Sequence, residues 1–263
     1  MTTIMLAPNG GRRMPADHPA IPVQIPQTIR CAAAARRAGA DAIHVHLRDA
    51  EGGHLLDAGA YRELTQGIHH AAPGLAVQIT TESIGRYDAG QQMAVVREAM
   101  PAFASCALRE IADDLGARAF YHDMAGAGVG IQHILYAPEE AGRLADLRAG
   151  GIVPDGPLSV IFVVGSYPDG GGTPPARLGA FLVAAAPLGA EWMACAFGRS
   201  ETRVLGAAMA LGGHARVGFE NGLHMADGSI APDNTARVAE VVALRRALGL
   251  DAGDTGAALG APG

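Results

Sequence analysis

Eight short apolar runs recur along the chain, seven of them followed by a segment of helical spacing, and this alternation constrains the fold more than any other feature. The apolar runs cover residues 3–8, 42–47, 76–81, 103–108, 129–136, 158–165, 192–198 and 215–220. Each has the length and residue types of a buried strand. Segments with helical spacing follow at 25–38, 58–71, 89–99, 138–149, 175–186, 201–211 and 234–248. Their punctuation agrees: Gly39 ends the first, Asp57 stands as an N-cap before the second, Pro73 stops it, Pro138 opens the fourth and Gly150 closes it. Eight βα units in roughly 250 residues predict an α/β fold, a single (β/α)8 TIM barrel spanning 1–263. A doubly wound sheet is the alternative, but no Gly-x-Gly-x-x-Gly follows the first strand. Gly170–Gly172 reads as a flexible loop rather than a phosphate cradle. The Ala/Gly-rich tail 250–263 reads as a flexible end or a subunit arm.

Composition supports one soluble domain. At 49% hydrophobic and 17% charged the chain is too apolar for disorder, and at 5% aromatic it lacks the residues a β-sandwich favours. The net charge is −6 with no Lys/Arg run, which excludes a nucleic-acid surface. Cys31, Cys106 and Cys195 form neither a CxxC pair nor a disulfide framework, as expected for a reducing cytoplasm. The first residues lack signal-peptide organisation, and no apolar run approaches the ~20 residues of a membrane span.

Active sites of such barrels lie at the C-terminal strand ends. The second strand ends His44-Val45-His46-Leu47-Arg48-Asp49. Alternation puts His44, His46 and Arg48 on one face and Ile43, Val45 and Leu47 on the other. The two imidazoles, with Cα atoms ~7 Å apart, then point into the barrel mouth and can converge on one metal. Hydrogen-bonded core histidines are the plainer alternative. In the last strand His214, Arg216, Gly218 and Glu220 share parity. Inward Arg216 and Glu220 are costly unless paired or used, so Glu220 is either half of an ion pair or a third ligand. Two imidazoles and a carboxylate leave open positions on Zn²⁺, and they would also suit iron.

Other strand ends contribute Thr80, Thr81 and Glu82 with Gly85 and Arg86, Ser105 and Glu110, Ser166 and Tyr167, and Arg199 and Glu201. The first strand runs into Pro8-Asn9-Gly10-Gly11-Arg12-Arg13, then Asp17 and His18. Two arginines there favour an anionic substrate. His54, His69, His70, His122 and His224 read as surface or loop residues, and His133 as core or site.

These residues resemble the β-keto acid cleavage enzyme family. The likeness rests on Ala7-Pro8-Asn9-Gly10, the His44–Asp49 segment, Gln78-Ile79-Thr80-Thr81, the 212–221 segment, Ala226-Asp227-Gly228 and Ala231-Pro232-Asp233-Asn234. It runs from the first strand to the last helix. The resemblance implies a TIM barrel, a homotetramer and one Zn²⁺ per subunit held by His44, His46 and Glu220. It implies Arg216 as a catalytic arginine and Thr80 as a substrate contact in place of a serine; Thr81, Ser105, Asn9 and Arg12, from the neighbouring strand ends, are expected to bind substrate beside it. The implied reaction joins a β-keto acid to acetyl-CoA, giving acetoacetate and a new acyl-CoA.

Two departures stand out. The family type has an acidic residue after its metal glutamate, where this chain has Asn221; Asn221 is placed in the catalytic group with Arg216, and Glu82 is expected to restore a carboxylate to it. Arg12 stands at about the place of a glutamate that meets the substrate amine in the aminohexanoate enzyme. A guanidinium repels an ammonium, so a neutral or anionic β-keto acid is expected. Rival readings are a metal-dependent carbon–carbon lyase or aldolase, an amidohydrolase-type hydrolase, and a non-catalytic binding barrel. The hydrolase type carries its His-x-His on the first strand, with further histidines at strands five and six.

Overall fold

The computed structural model describes residues 1–166 and 173–261; Tyr167 and Gly170–Gly172 lie outside the described residues. Eight parallel strands close a barrel: β1 (Ile4–Leu6), β2 (Ala42–Val45), β3 (Ala76–Thr80), β4 (Phe103–Ala107), β5 (Gly130–Leu135), β6 (Ser159–Val164), β7 (Glu191–Ala196) and β8 (His214–Val217). Sequential strands are neighbours, and β8 closes on β1 with Ile4 opposite Ala215 and Leu6 opposite Val217. The pleat sorts the side chains by parity. Ile4, Leu6, Ile43, Val45, Val77 and Ile79 join the apolar layer beneath the helices, whereas Met5, Ile134, Ile161, Val163, Met193 and Cys195 fill the barrel interior. Each large side chain removed from water there stabilises the fold by roughly 1.5–3 kcal/mol.

The helices are α1 (Ile25–Ala38), α2 (Ala58–Ala71), α3 (Ala89–Ala99), α4 (Leu108–Ile111), α5 (Ala117–Gly126), α6 (Glu139–Ala149), α7 (Arg177–Ala185), α8 (Glu201–Ala210), α9 (Asn234–Ala247) and α10 (Thr255–Ala258). Local chemistry sets their ends. Asp57 accepts from the Ala60 amide, Asp88 and Gln91 form a reciprocal capping box, and Gly39 ends α1 with φ 102°. Helices α4 and α5 lie in a stretch where the sequence reading assigned none. The acidic Asp113-Asp114 and Gly116 interrupt the apolar spacing there, and it is packing on β4 and β5 that makes helix. No helix of the described residues is long and apolar enough to cross a membrane.

Three expectations are corrected. Strand β2 stops at Val45; Leu47–Arg48 instead pairs antiparallel with His54–Leu55. Arg48 therefore does not face the cavity. It donates to the carbonyls of Gly10 (2.6 Å), Arg13 (2.8 Å) and Gly52 (2.7 Å), tying the β1 turn to the hairpin. Strand β8 stops at Val217, so Glu220 reaches the site from a turn and not by strand parity. The tail is no free arm over its described part. Leu259 is buried in the interior cluster, and the Ala258 carbonyl accepts from Ser159 Oγ (2.6 Å) and Gln132 Nε2 (3.1 Å), closing the N-terminal end of the barrel.

Candidate active site

At the C-terminal mouth three side chains converge. His44 Nε2 lies 3.1 Å from His46 Nε2, and Glu220 Oε2 lies 3.4 Å from His46 Nε2 and 3.8 Å from His44 Nε2. All three are buried, and the three potential ligand atoms fall within 4.8 Å of one another. Their hydrogen bonding fits a metal. Gln78 donates through Nε2 to Gln132 Oε1 (3.2 Å), so its Oε1 accepts the Nδ1 proton of His44 (2.8 Å). That leaves the His44 Nε2 lone pair facing the cluster. Burial lowers the pKa of His44 to about 3, only partly opposed by Glu220, so the ring is neutral and able to ligate at neutral pH. Glu220 stays ionised: burial would raise its pKa, but the Arg216 guanidinium 3.0 Å away pushes it well below the usual range.

Backbone geometry makes this convergence possible. Gly10, at φ +62°, sits where a Cβ would lie 2.6 Å from Glu220 Cγ. Gly218, at φ +143°, sits where a Cβ would lie 2.3 Å from the Ala7 carbonyl. With glycine at both places the β1 and β8 turns touch, and the Glu220 amide donates to Ala7 O (3.1 Å). Asn234 bridges the same turns, accepting from the Phe219 amide (2.9 Å) and donating to Pro8 O (3.0 Å). Below them Glu201 accepts from the Gly218 amide (3.0 Å) and pairs with fully buried Arg237 (2.8 Å). The anchors of Glu220 are therefore spread from residue 7 to residue 237.

The cluster floors a cavity of about 570 Å³, lined also by Arg12, Thr80, Glu82, Ser83, Arg109, Glu110, Tyr136, Phe197 and Arg216. Arg216 Nη2 meets Glu220 Oε1 at 3.0 Å and Cys195 Sγ at 3.3 Å, while its buried Nε has no hydrogen-bond partner among the described residues. Glu82 Oε2 lies 3.8 Å from His46 Nδ1, and burial raises the Glu82 pKa against the pull of His46. The cavity thus brings together His44, His46, Glu220, Arg216, Glu82, Thr80 and Arg12. It does not bring in the remaining residues expected there. Asn9 is fully buried, with its amide donating to Pro22 O (2.9 Å) and His46 O (3.1 Å). Thr81 donates to Ser105 O (3.0 Å), and Ser105 is buried outside the lining. Asn221 is likewise buried and off the cavity wall. These four support the walls rather than form them.

Several neighbours were not read from sequence. His54, expected on the surface, is buried against His46, with ring centroids 5.1 Å apart, and its Nε2 donates to Glu82 O (2.8 Å). Only the hairpin turns it inward, and no strand pattern marks it. Burial lowers its pKa to about 3. Gln78 was readable in part: it shares parity with Thr80 and pairs in register with His44. His133 is core, packed against Tyr121 on the far side of β5. Arg13 donates to Phe219 O (3.0 Å) and Asn221 O (3.4 Å), fastening the β8 turn.

A closed barrel whose mouth gathers two imidazoles, a carboxylate and a buried guanidinium around one cavity has the makings of an enzyme active site. The profile of the beta-keto acid cleavage enzyme family matches residues 2–257, and the chain belongs to that family. It is 26% identical to the 3-oxoadipate:acetyl-CoA acetyltransferase of Cupriavidus necator, covering 92% of this chain and 87% of that protein. It is 25% identical to the 3-keto-5-aminohexanoate cleavage enzyme of Fusobacterium nucleatum, covering 91% and 89%. Its fold is similar to that of ObcA in binary complex with oxaloacetate, with TM-score 0.71 and 14% identity over 91% of this chain and 66% of ObcA. The chain is an acyltransferase of the β-keto acid cleaving type.

Proposed function

We propose that the cavity converts a β-keto acid and acetyl-CoA to acetoacetate and a new acyl-CoA, with Zn²⁺ held by His44, His46 and Glu220. The observation that carries this is the convergence of those three side chains beside Arg216 on the cavity floor. Bound zinc supplies Lewis-acid polarisation of the keto and carboxylate oxygens. Imidazole–carboxylate donors without thiolate suit it, though other divalent transition metals share these preferences.

The chain's own groups carry the proton and charge. Glu82, its basicity raised by burial, takes the proton from the carbon between the two carbonyls of the substrate. That carbon attacks the thioester carbonyl of acetyl-CoA, and the C–S bond breaks to release the CoA thiolate. The thiolate adds to the substrate ketone; the bond between that carbon and the former α-carbon breaks, giving the acyl-CoA and the enolate of acetoacetate. Glu82 returns the proton. Arg216 Nε, buried and without a partner among the described residues, donates to the oxygen on which charge develops.

Arg12 on the cavity wall disfavours an ammonium on the substrate, so the substrate is a neutral or anionic β-keto acid and not 3-keto-5-aminohexanoate. The test is acetyl-CoA-dependent loss of β-keto acids of varied charge, with acetoacetate measured as product. Turnover without acetyl-CoA, or preference for an amino substrate, would overturn this reading. Metal analysis of untagged protein should find about one zinc per chain, absent from His44→Ala. Sedimentation is expected to find a homotetramer.

A further inference from the structure

The cavity is graded from floor to mouth. The metal-ligating cluster and Arg216 form one end. Ile134, Val163 and Phe197 line it with apolar surface. Ile134 lies near the C-terminal end of β5, and Tyr136, just past that end, lines the same cavity at the mouth side of the strand. Against the Tyr136 ring lies Arg109, exposed at the start of α4, with its guanidinium carbon 3.6 Å from the ring centroid.

This pairing leaves Arg109 able to bind an anion. Stacking occupies the flat face of the guanidinium and leaves its N–H edge free for a bidentate bond to a carboxylate. Among the described residues, no carboxylate forms an ion pair with Arg109. Its neighbour Glu110 is committed elsewhere: it accepts from the Ser83 amide (3.1 Å), Ser83 Oγ (2.8 Å) and Gln92 Nε2 (2.6 Å). The same cavity therefore offers a second cation, oriented against an aromatic ring, in addition to the cluster that receives the first carboxylate.

We propose that Arg109, supported by Tyr136, recognises a second carboxylate at the far end of the substrate, so that the preferred substrate class is a β-oxo dicarboxylic acid. This rests on the β-keto acid cleavage reading and narrows it. The zinc-loaded enzyme is assayed with acetyl-CoA and with chain-matched β-keto acids ending in a carboxylate, a methyl ester or an ammonium. The wild-type kcat/KM is expected to be at least about tenfold higher for the diacid than for the ester. In Arg109→Gln that ratio falls below about threefold, through KM for the diacid rather than kcat. Arg109→Lys restores it only in part, because an ammonium lacks the planar fork. Tyr136→Phe keeps the platform and the ratio, whereas Tyr136→Leu lowers it.

A wild-type enzyme that turns over all three acids without preferring the diacid overturns the proposal and leaves the reaction intact. An Arg109→Gln defect that raises KM for acetyl-CoA equally with every keto acid also overturns it, assigning the arginine to a CoA phosphate. Thermal stabilisation by the diacid gives a readout independent of turnover. If no keto acid reacts but the diacid still stabilises wild type and not Arg109→Gln, the cleavage reading falls and the carboxylate site stands. If neither occurs, both fall.

Discussion

Replacing Gln78 by Met tests whether the candidate metal site depends on its supporting hydrogen bonds. Methionine keeps the length and volume of the side chain but removes the acceptor for His44 Nδ1–H (2.8 Å) and the donor to Gln132 Oε1 (3.2 Å). Both groups are buried, and each loses a partner that no solvent replaces. At about 1–3 kcal/mol per stranded buried group, the metal-free protein should lose roughly 2–6 kcal/mol of stability. Metal binding suffers separately. Without the Gln78 acceptor, His44 no longer favours the tautomer that presents the Nε2 lone pair, and loss of such support weakens metal affinity by about 10–100-fold. Zinc competition with a chromophoric chelator measures this directly, with urea unfolding of the metal-free protein beside it. The expected result is a zinc Kd weakened by at least tenfold, with sites still filled at saturating metal. A Kd within threefold of wild type, together with complete loss of zinc in His44→Ala, would refute the idea that Gln78 sets the tautomer.

Glu82→Gln should lower kcat by about 10²–10⁴-fold while zinc content is unchanged; full turnover across the pH range would remove Glu82 from proton transfer. Leu259→Ala, at the barrel floor, should cost about 2–5 kcal/mol in denaturant unfolding, since it opens a space among Met5, Ile161 and Met193; a loss under 0.5 kcal/mol would show that the tail is not part of the core. Acid should destabilise the metal-free protein. Burial lowers the folded pKa of His44 and His54 to about 3 and of His133 to about 4. Below the ordinary pKa of ~6.5, the unfolded chain takes up protons that these folded rings refuse, so stability present above pH 6.5 is lost as pH falls toward 3, by up to ~1.4 kcal/mol per pH unit for each ring. Stability unchanged between pH 7 and pH 5 would contradict their burial as neutral imidazoles.

The barrel itself was legible because alternation of period 2 in the strands and wider spacing in the helices are local properties, written into each short segment. His44 and His46 were legible for the same reason: two polar residues alternate with Ile43, Val45 and Leu47 at a strand end, and a barrel dictates which end matters. Glu220 was named correctly as a neighbour of that pair for an incomplete reason. Its parity with Arg216 was readable, but β8 ends at Val217 and the approach depends on Gly10, Gly218 and Asn234. His54, Arg109 and Tyr136 carry no pattern of their own. His54 is turned inward by a hairpin, and Arg109 meets Tyr136 only because β4 and β5 are adjacent.

Local patterning was enough to establish the barrel, the face on which the histidines lie and the kinship carried by the strand-two and strand-eight motifs. Tertiary structure alone decided which polar groups line the cavity, how Gln78 orients His44, and that the tail is drawn under the barrel. The physical reason is range. Strand parity and helix capping act over a few residues, whereas hydrogen bonds such as Asn234 to Pro8, 226 positions apart in the chain, exist only once the last strand has closed on the first.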